Sequence, residues 1–209
     1  MASVRSPRKA PLVRQLAEDR RQALIEAAIR SLQRHGHEGL SVRRIAHEAG
    51  VSIGLINHHF PNKNALIAAA YRHFNNQLID GLAQAVARAP ASPRARLRAF
   101  FEASFSPPNL DPDVLAVWVV FWGMYRHSKE IQGVHRETYR GYVDLLRGML
   151  ADLAKESGRN RLGLRLAAIG LTAMLDGLWL EWCLDPEDFR PKEAVALCET
   201  WVDKLCADA

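Results

Sequence analysis

Residues 41–61 constrain the chain most, because two helix starts and two helix stops fall inside them. Ser41 can cap a short helix whose inner face reads Val42, Ile45, Ala46, Ala49, the i, i+3, i+4, i+7 spacing of one helical stripe. Gly50 ends it, Ser52 caps a second helix over 53–59, and Pro61 ends that one. Helices this short are marginal in water, since the costly first turn is repaid over too few residues. An ordinary bundle hairpin therefore fits them poorly. Ala46 is small enough for a steep close crossing, Gly50 supplies the left-handed backbone of a tight turn, and Val51 and Ile56 lock the pair onto a preceding helix. The pattern is a helix-turn-helix whose outer face keeps Ser52, Leu55, Asn57 and His58 for contact with a major groove.

Charge agrees with that. Residues 1–63 carry 11 Lys/Arg against 5 Asp/Glu, while 64–209 carry 17 against 18. A basic head on a neutral body is the footprint of a nucleic-acid-binding module joined to something else. Charge alone would equally serve solubility; the tight turn, flanked by Arg43, Arg44 and Lys63, favours DNA.

Helical periodicity runs through the rest of the chain, and no apolar/polar alternation suggests strands. A first helix is expected over 16–35, and a long one over 63–88 after the Pro61 break. Ser92-Pro93 and Asp111-Pro112 each start a helix, and others follow over 129–156, 160–184 and 191–206. The expected fold is all-α with about nine helices: a basic flexible arm (1–15), a three-helix DNA-binding domain (16–78, with the helix-turn-helix at about 41–60) and a helical ligand-binding and dimerisation domain (79–209).

Two features of the body carry chemistry. Trp118, Phe121, Trp122 and Tyr125 share one helical face, and Trp179 lies on a later helix close to Asp176. Such a stripe fits either a plain aromatic core or a pocket wall. An acid within Leu171–Leu180 is costly unless paired or facing a cavity, and tryptophans beside a carboxylate suit a quaternary ammonium ligand. Trp118, Trp122, Tyr125, Asp176 and Trp179 are thus the candidate ligand set. Gly163, Gly170 and Gly177 recur every seven residues and could let a partner helix approach, which suggests a homodimer through this helix and the last one.

Other classes find little support. There is no HExxH, no recognisable Ser/His/Asp or Cys/His set and no glycine-rich phosphate loop, so neither catalysis, a cofactor nor a metal is expected. Cys183, Cys198 and Cys206 imply no disulfide framework, and no secretory leader or uninterrupted apolar span of ~18 residues is present. A cytoplasmic protein with no membrane role is expected.

Residues 20–66, with Gly39-Leu40-Ser41-Val42-Arg43-Arg44-Ile45-Ala46, Ala49-Gly50-Val51-Ser52 and His59-Phe60-Pro61-Asn62-Lys63-Asn64-Ala65-Leu66, resemble the DNA-binding domain of the TetR family. The resemblance implies a regulator, by family default a repressor, that binds double-stranded operator DNA as a homodimer and answers to a small-molecule effector. It further implies that Arg43 reaches a base edge, that Asn57 and His58 lie on the recognition helix, and that Ser41, His59 and Lys63 contact phosphates. Many members carry an aromatic pair where this chain has Asn57 and His58. Trp118-Val119-Val120-Phe121-Trp122 and Asp176-Gly177-Leu178-Trp179-Leu180 resemble the BetI branch, which responds to choline. The alternatives are a TetR-type regulator of efflux or catabolic genes with an unrelated ligand, and a ligand-independent DNA-binding protein, for which the body would be solid.

Overall fold

The computed structural model describes residues 9–156, 158 and 163–207, and among these it contains nine α-helices and no strand. Helix α1 (Lys9–His35) passes through a 3-10 turn (Gly36–Leu40) into α2 (Val42–Ala49) and α3 (Ile53–His59). Helix α4 (Lys63–Arg88) leaves this head for a body made of α5 (Pro93–Ser104), α6 (Pro112–Tyr125), α7 (Lys129–Glu156), α8 (Leu164–Leu184) and α9 (Pro191–Ala207).

Local chemistry sets most of these boundaries. The side chains of Ser41, Ser52, Asn62 and Ser92 each accept a hydrogen bond from the backbone N–H three residues on, at 2.9 to 3.3 Å. These bonds satisfy donors that the first helical turn leaves orphaned. Gly50 takes φ +65°, which lets the Val51 N–H return to the Ala46 carbonyl at 3.0 Å. Gly39 is required for a different reason. A Cβ there would lie 2.0 Å from the Ser31 carbonyl oxygen, so the 3-10 turn presses bare backbone onto α1, where the Ser31 hydroxyl donates to the Gly39 carbonyl at 2.8 Å.

Three expectations change. Helix α1 starts at Lys9 rather than at 16, because Pro11 sits in the first turn, where its missing N–H breaks no helical bond. Residues 1–8, the rest of the expected arm, lie outside the described residues. Helix α8 starts at Leu164, with Gly163 as its N-cap, so only two of the three spaced glycines are inside it. Of the three, only Gly170 has a close neighbour: a Cβ there would meet Cζ2 of Trp201, on α9 of the same chain, at 3.1 Å. Gly170 and Gly177, seven residues apart, differ by only about 20° around the helix, so both stay on one face of α8.

The core has two clusters. The first joins head residues Leu24, Ile45, Ile56 and Leu66 to Tyr71 and Phe74 of α4, Val117 and Phe121 of α6, and Val134 of α7. The second gathers Leu82, Phe100, Phe101, Leu146, Leu171, Leu175 and Cys198 in the body, and Trp179 packs against both. Helix α8 is long and apolar enough, by length and composition, to cross a membrane. Here Ala167, Ala168, Leu171, Thr172 and Leu175 face the core, while Leu166 (65 %) and Ile169 (45 %) remain exposed, as does Leu197 of α9.

Candidate nucleic-acid interface and ligand cavity

On the head, Arg43, Ser52, Asn57, His58 and Lys63 are exposed, Ser41 and His59 are half-buried, and Ala46 and Ile56 are buried beneath them. Leu55, expected on the outer face, is half-buried. Ion pairing separates the arginines. Arg44 pairs with Glu38 at 3.1 Å, and Glu48 holds both Arg30 (3.2 Å) and Arg34 (2.9 Å). Among the described residues Arg43 and Lys63 have no acidic partner, so both cations stay available to an anionic ligand. Ser41 and Ser52 accept capping bonds through their hydroxyl oxygens, which leaves each O–H free to donate. Burial, followed by the neighbouring His58, Arg20 and Arg21, pulls the His59 imidazole below its ordinary range. It is therefore a neutral donor at neutral pH, set in a positive field.

In the body, a cavity of about 420 Å³ opens between the two core clusters. Four helices supply most of its wall, with Ser104 of α5 and Asn109 beyond it. Asn75, Leu78, Ile79 and Leu82 of α4 face it at i, i+3, i+4, i+7, and so do His135, Thr138, Tyr139 and Tyr142 of α7; α6 adds Val114, Trp118 and Trp122, and α8 adds Leu175, Asp176 and Trp179. The Trp118 ring lies 5.5 Å from Trp122 on one side and packs edge-on to Tyr71 and Phe74 on the other. The Trp179 Nε1–H donates to the Asn109 carbonyl at 2.9 Å, which fixes that indole.

Asp176 is the only acid on the cavity wall among the described residues, and no Lys or Arg stands there. Its residue keeps contact with solvent, yet the protein packed around the carboxyl disfavours the charged form and pushes it up to about 6. Its charge is felt opposite: burial first and Asp176 second raise Tyr139, and they raise Tyr142 well above the ordinary phenol range. Burial also lowers His135, whose Nδ1 lies 3.0 Å from the Tyr71 hydroxyl. The cavity thus presents one carboxylate, several π faces and no fixed positive charge.

Comparison with known proteins settles the family. Residues 24–70 match the N-terminal model described as bacterial regulatory proteins, tetR family, and residues 93–207 match the BetI-type transcriptional repressor C-terminal model. The HTH-type transcriptional regulator BetI of Burkholderia mallei is 34% identical over 192 residues, covering 92% of this chain and 96% of the relative. The chain belongs to the TetR family. Its body is of the BetI type, and it is a transcriptional repressor of that class; the matched relatives are regulators rather than enzymes. A crystal structure of a Pseudomonas aeruginosa PAO1 transcriptional regulator superposes with TM-score 0.85 at 49% identity, covering 91% of each chain. A regulator from Saccharomonospora viridis, solved in complex with choline, shares the fold at TM-score 0.75 and 21% identity, over 89% of this chain and 96% of its own.

In this TetR-family repressor, four of the five residues expected around a ligand, Trp118, Trp122, Asp176 and Trp179, border one cavity. Tyr125 does not. It closes α6, and its ring packs edge-on to the lining residue His135 at 5.1 Å, so it backs the wall without facing the cavity. Sequence reasoning missed the α7 wall. The His135-Thr138-Tyr139-Tyr142 stripe was readable by its helical spacing, but its mixed polarity hid it from a search for apolar faces.

Proposed function

We propose that this repressor holds operator DNA as a homodimer through α2 and α3, and releases it when a quaternary ammonium cation such as choline occupies the cavity. The observation that carries this is the unpaired Asp176 carboxylate among aromatic faces. A partly desolvated carboxylate with no partner costs some stability, and a quaternary cation recovers that cost while gaining cation–π contacts from the rings. The choline held by the S. viridis regulator of the same fold supports the choice. Operator DNA places the protein's work in the cytoplasm.

On the DNA side, the unpaired Arg43 is assigned to a base edge, with Ser52, Asn57 and His58 along the groove and Ser41, His59 and Lys63 at phosphates. A palindromic site needs two heads about one helical turn apart, hence a dimer. The exposed Leu166, Ile169 and Leu197 supply an apolar face for it on α8 and α9. Gly163, Gly170 and Gly177 stay within that region, but the tight contact at Gly170 is internal to the chain.

Transmission follows from shared walls. Trp118 lines the cavity and touches Tyr71 and Phe74 of the head-spanning core, while Phe121, one turn on, lies 4.4 Å from Tyr71. A cation that moves Trp118 and Trp122 therefore displaces the helices against which the head is seated. A 100-fold preference for the released state supplies about 2.7 kcal/mol of bias. Fluorescence anisotropy with DNA from the gene's own upstream region is the test. Choline or tetramethylammonium should weaken binding, and Trp122→Leu should bind DNA normally without ligand yet lose ~0.5–2 kcal/mol of cation affinity. If no quaternary amine produced heat or release from operator-competent protein, the cationic assignment would be wrong.

A further inference from the structure

The cavity exceeds the headgroup that its charge and rings can hold. An enclosure of about 150 Å³ takes a six-carbon ring. A choline-sized cation has nearly the same number of heavy atoms, so it fills roughly a third of the 420 Å³ available. The lining extends seven residues along α4, from Asn75 to Leu82, and seven along α7, from His135 to Tyr142, a rise of about 10 Å on each helix.

The surplus volume has a definite chemistry. Leu78, Ile79, Leu82, Val114 and Leu175 present aliphatic surface. Four of the polar groups between them already spend a donor on the main chain. Asn75 Nδ2 donates to the Tyr71 carbonyl at 2.9 Å, Ser104 Oγ to Phe100 at 2.8 Å, Asn109 Nδ2 to Ala103 at 2.9 Å and Thr138 Oγ1 to Val134 at 3.0 Å. A hydroxylated or charged tail would give up its water there for few new partners. An alkyl or aryl tail gains from each buried methylene.

We infer that the effector is an amphiphilic monocation, a quaternary ammonium headgroup at Asp176 joined to an apolar chain or ring, on the order of 15 heavy atoms in all. This rests on the cationic assignment made above and narrows it from small to extended cations. The headgroup sits at Asp176, and the tail occupies the remaining cavity against aliphatic groups such as Leu78, Ile79 and Leu82.

Titration calorimetry and operator anisotropy on the full chain decide it, using choline and butyl-, hexyl- and octyltrimethylammonium below their micelle concentrations, with octanol and octyl sulfate as neutral and anionic arms. Affinity is expected to rise about three- to fourfold per methylene until the cavity is full, with the longer cations releasing operator at the lowest concentrations. Leu82→Phe, checked for unchanged helix content, should remove the gain from chain growth. Choline binding as tightly as octyltrimethylammonium to the wild-type protein overturns the inference while leaving the cationic site standing. Octanol or octyl sulfate binding in preference to every ammonium overturns both.

Discussion

Replacing Asp176 by Asn removes the charge and keeps the shape, and the structure sets the size of the effect. With the carboxyl at about 6 in the empty cavity, roughly one-tenth of the protein is ionised at pH 5 and nearly all at pH 7.5. If the cation needs the carboxylate, wild-type affinity should rise about tenfold between those two values. The other groups facing Asp176 do not reverse this. Tyr139 and Tyr142 are raised, so they stay neutral throughout. His135 is lowered by burial, so any protonation at the acid end repels the cation and acts in the same direction. Asp176→Asn should therefore bind weakly at pH 7.5 and keep at most the small slope from His135. Stability moves oppositely. The folded-state carboxyl lies above its ordinary value, so the folded protein binds the extra proton and ligand-free stability falls as pH rises through about 4 to 6. The Asn variant should melt higher than wild type at pH 7.5 and similarly near pH 4. Calorimetry with tetramethylammonium and thermal unfolding at both pH values read these outcomes. Wild-type affinity that ignores pH, or an Asn variant that binds like wild type at pH 7.5, would refute the role of the carboxylate.

Arg43→Ala should cost about 1–3 kcal/mol on the specific operator and relax preference at one base position per half-site; Lys63→Ala should weaken all duplexes alike and lower the salt slope by about one. Anisotropy titrations across salt and site variants distinguish them. Gly39→Ala drives a methyl group into the Ser31 carbonyl, so the head should lose stability by about 1–3 kcal/mol, as over-packed cores do, visible in thermal unfolding. Leu166→Glu with Ile169→Glu should turn the exposed α8 face against self-association, giving a monomer by sedimentation with intact helix content and no specific operator binding.

What could be read from the chain was what short-range bonds decide. Caps at Ser41, Ser52 and Ser92 act three residues ahead and Pro61 forces a break, so the starts of α2 through α5 were legible, and α4 and α7 span the residues expected for them. The Gly50 turn needed only a left-handed backbone and a small neighbour, both local properties. Errors arise where a long-range partner decides. The α6 stripe was visible, but nothing along one helix says which of its rings meets a cavity and which meets a neighbour, so Tyr125 was grouped with Trp118 and Trp122. Gly170 likewise marked a close approach without naming its partner, Trp201 of the same chain. The tight packing of Gly39 on Ser31 came from the encounter of two segments and had no signature of its own.

The cavity wall divides the labour of sensing in a way that matters for redesign. Tyr139, Tyr142, Leu175 and Asp176 line it from α7 and α8 and take no part in the core that seats the head, whereas Phe74 beside Asn75, and Trp118, belong to that core. Mutational libraries confined to the first group can retune which molecule is recognised while preserving signal output. Changes to the second group alter recognition and response together. A biosensor built on this scaffold would be diversified at Tyr139, Tyr142, Leu175 and Asp176 and left untouched along α4 and α6.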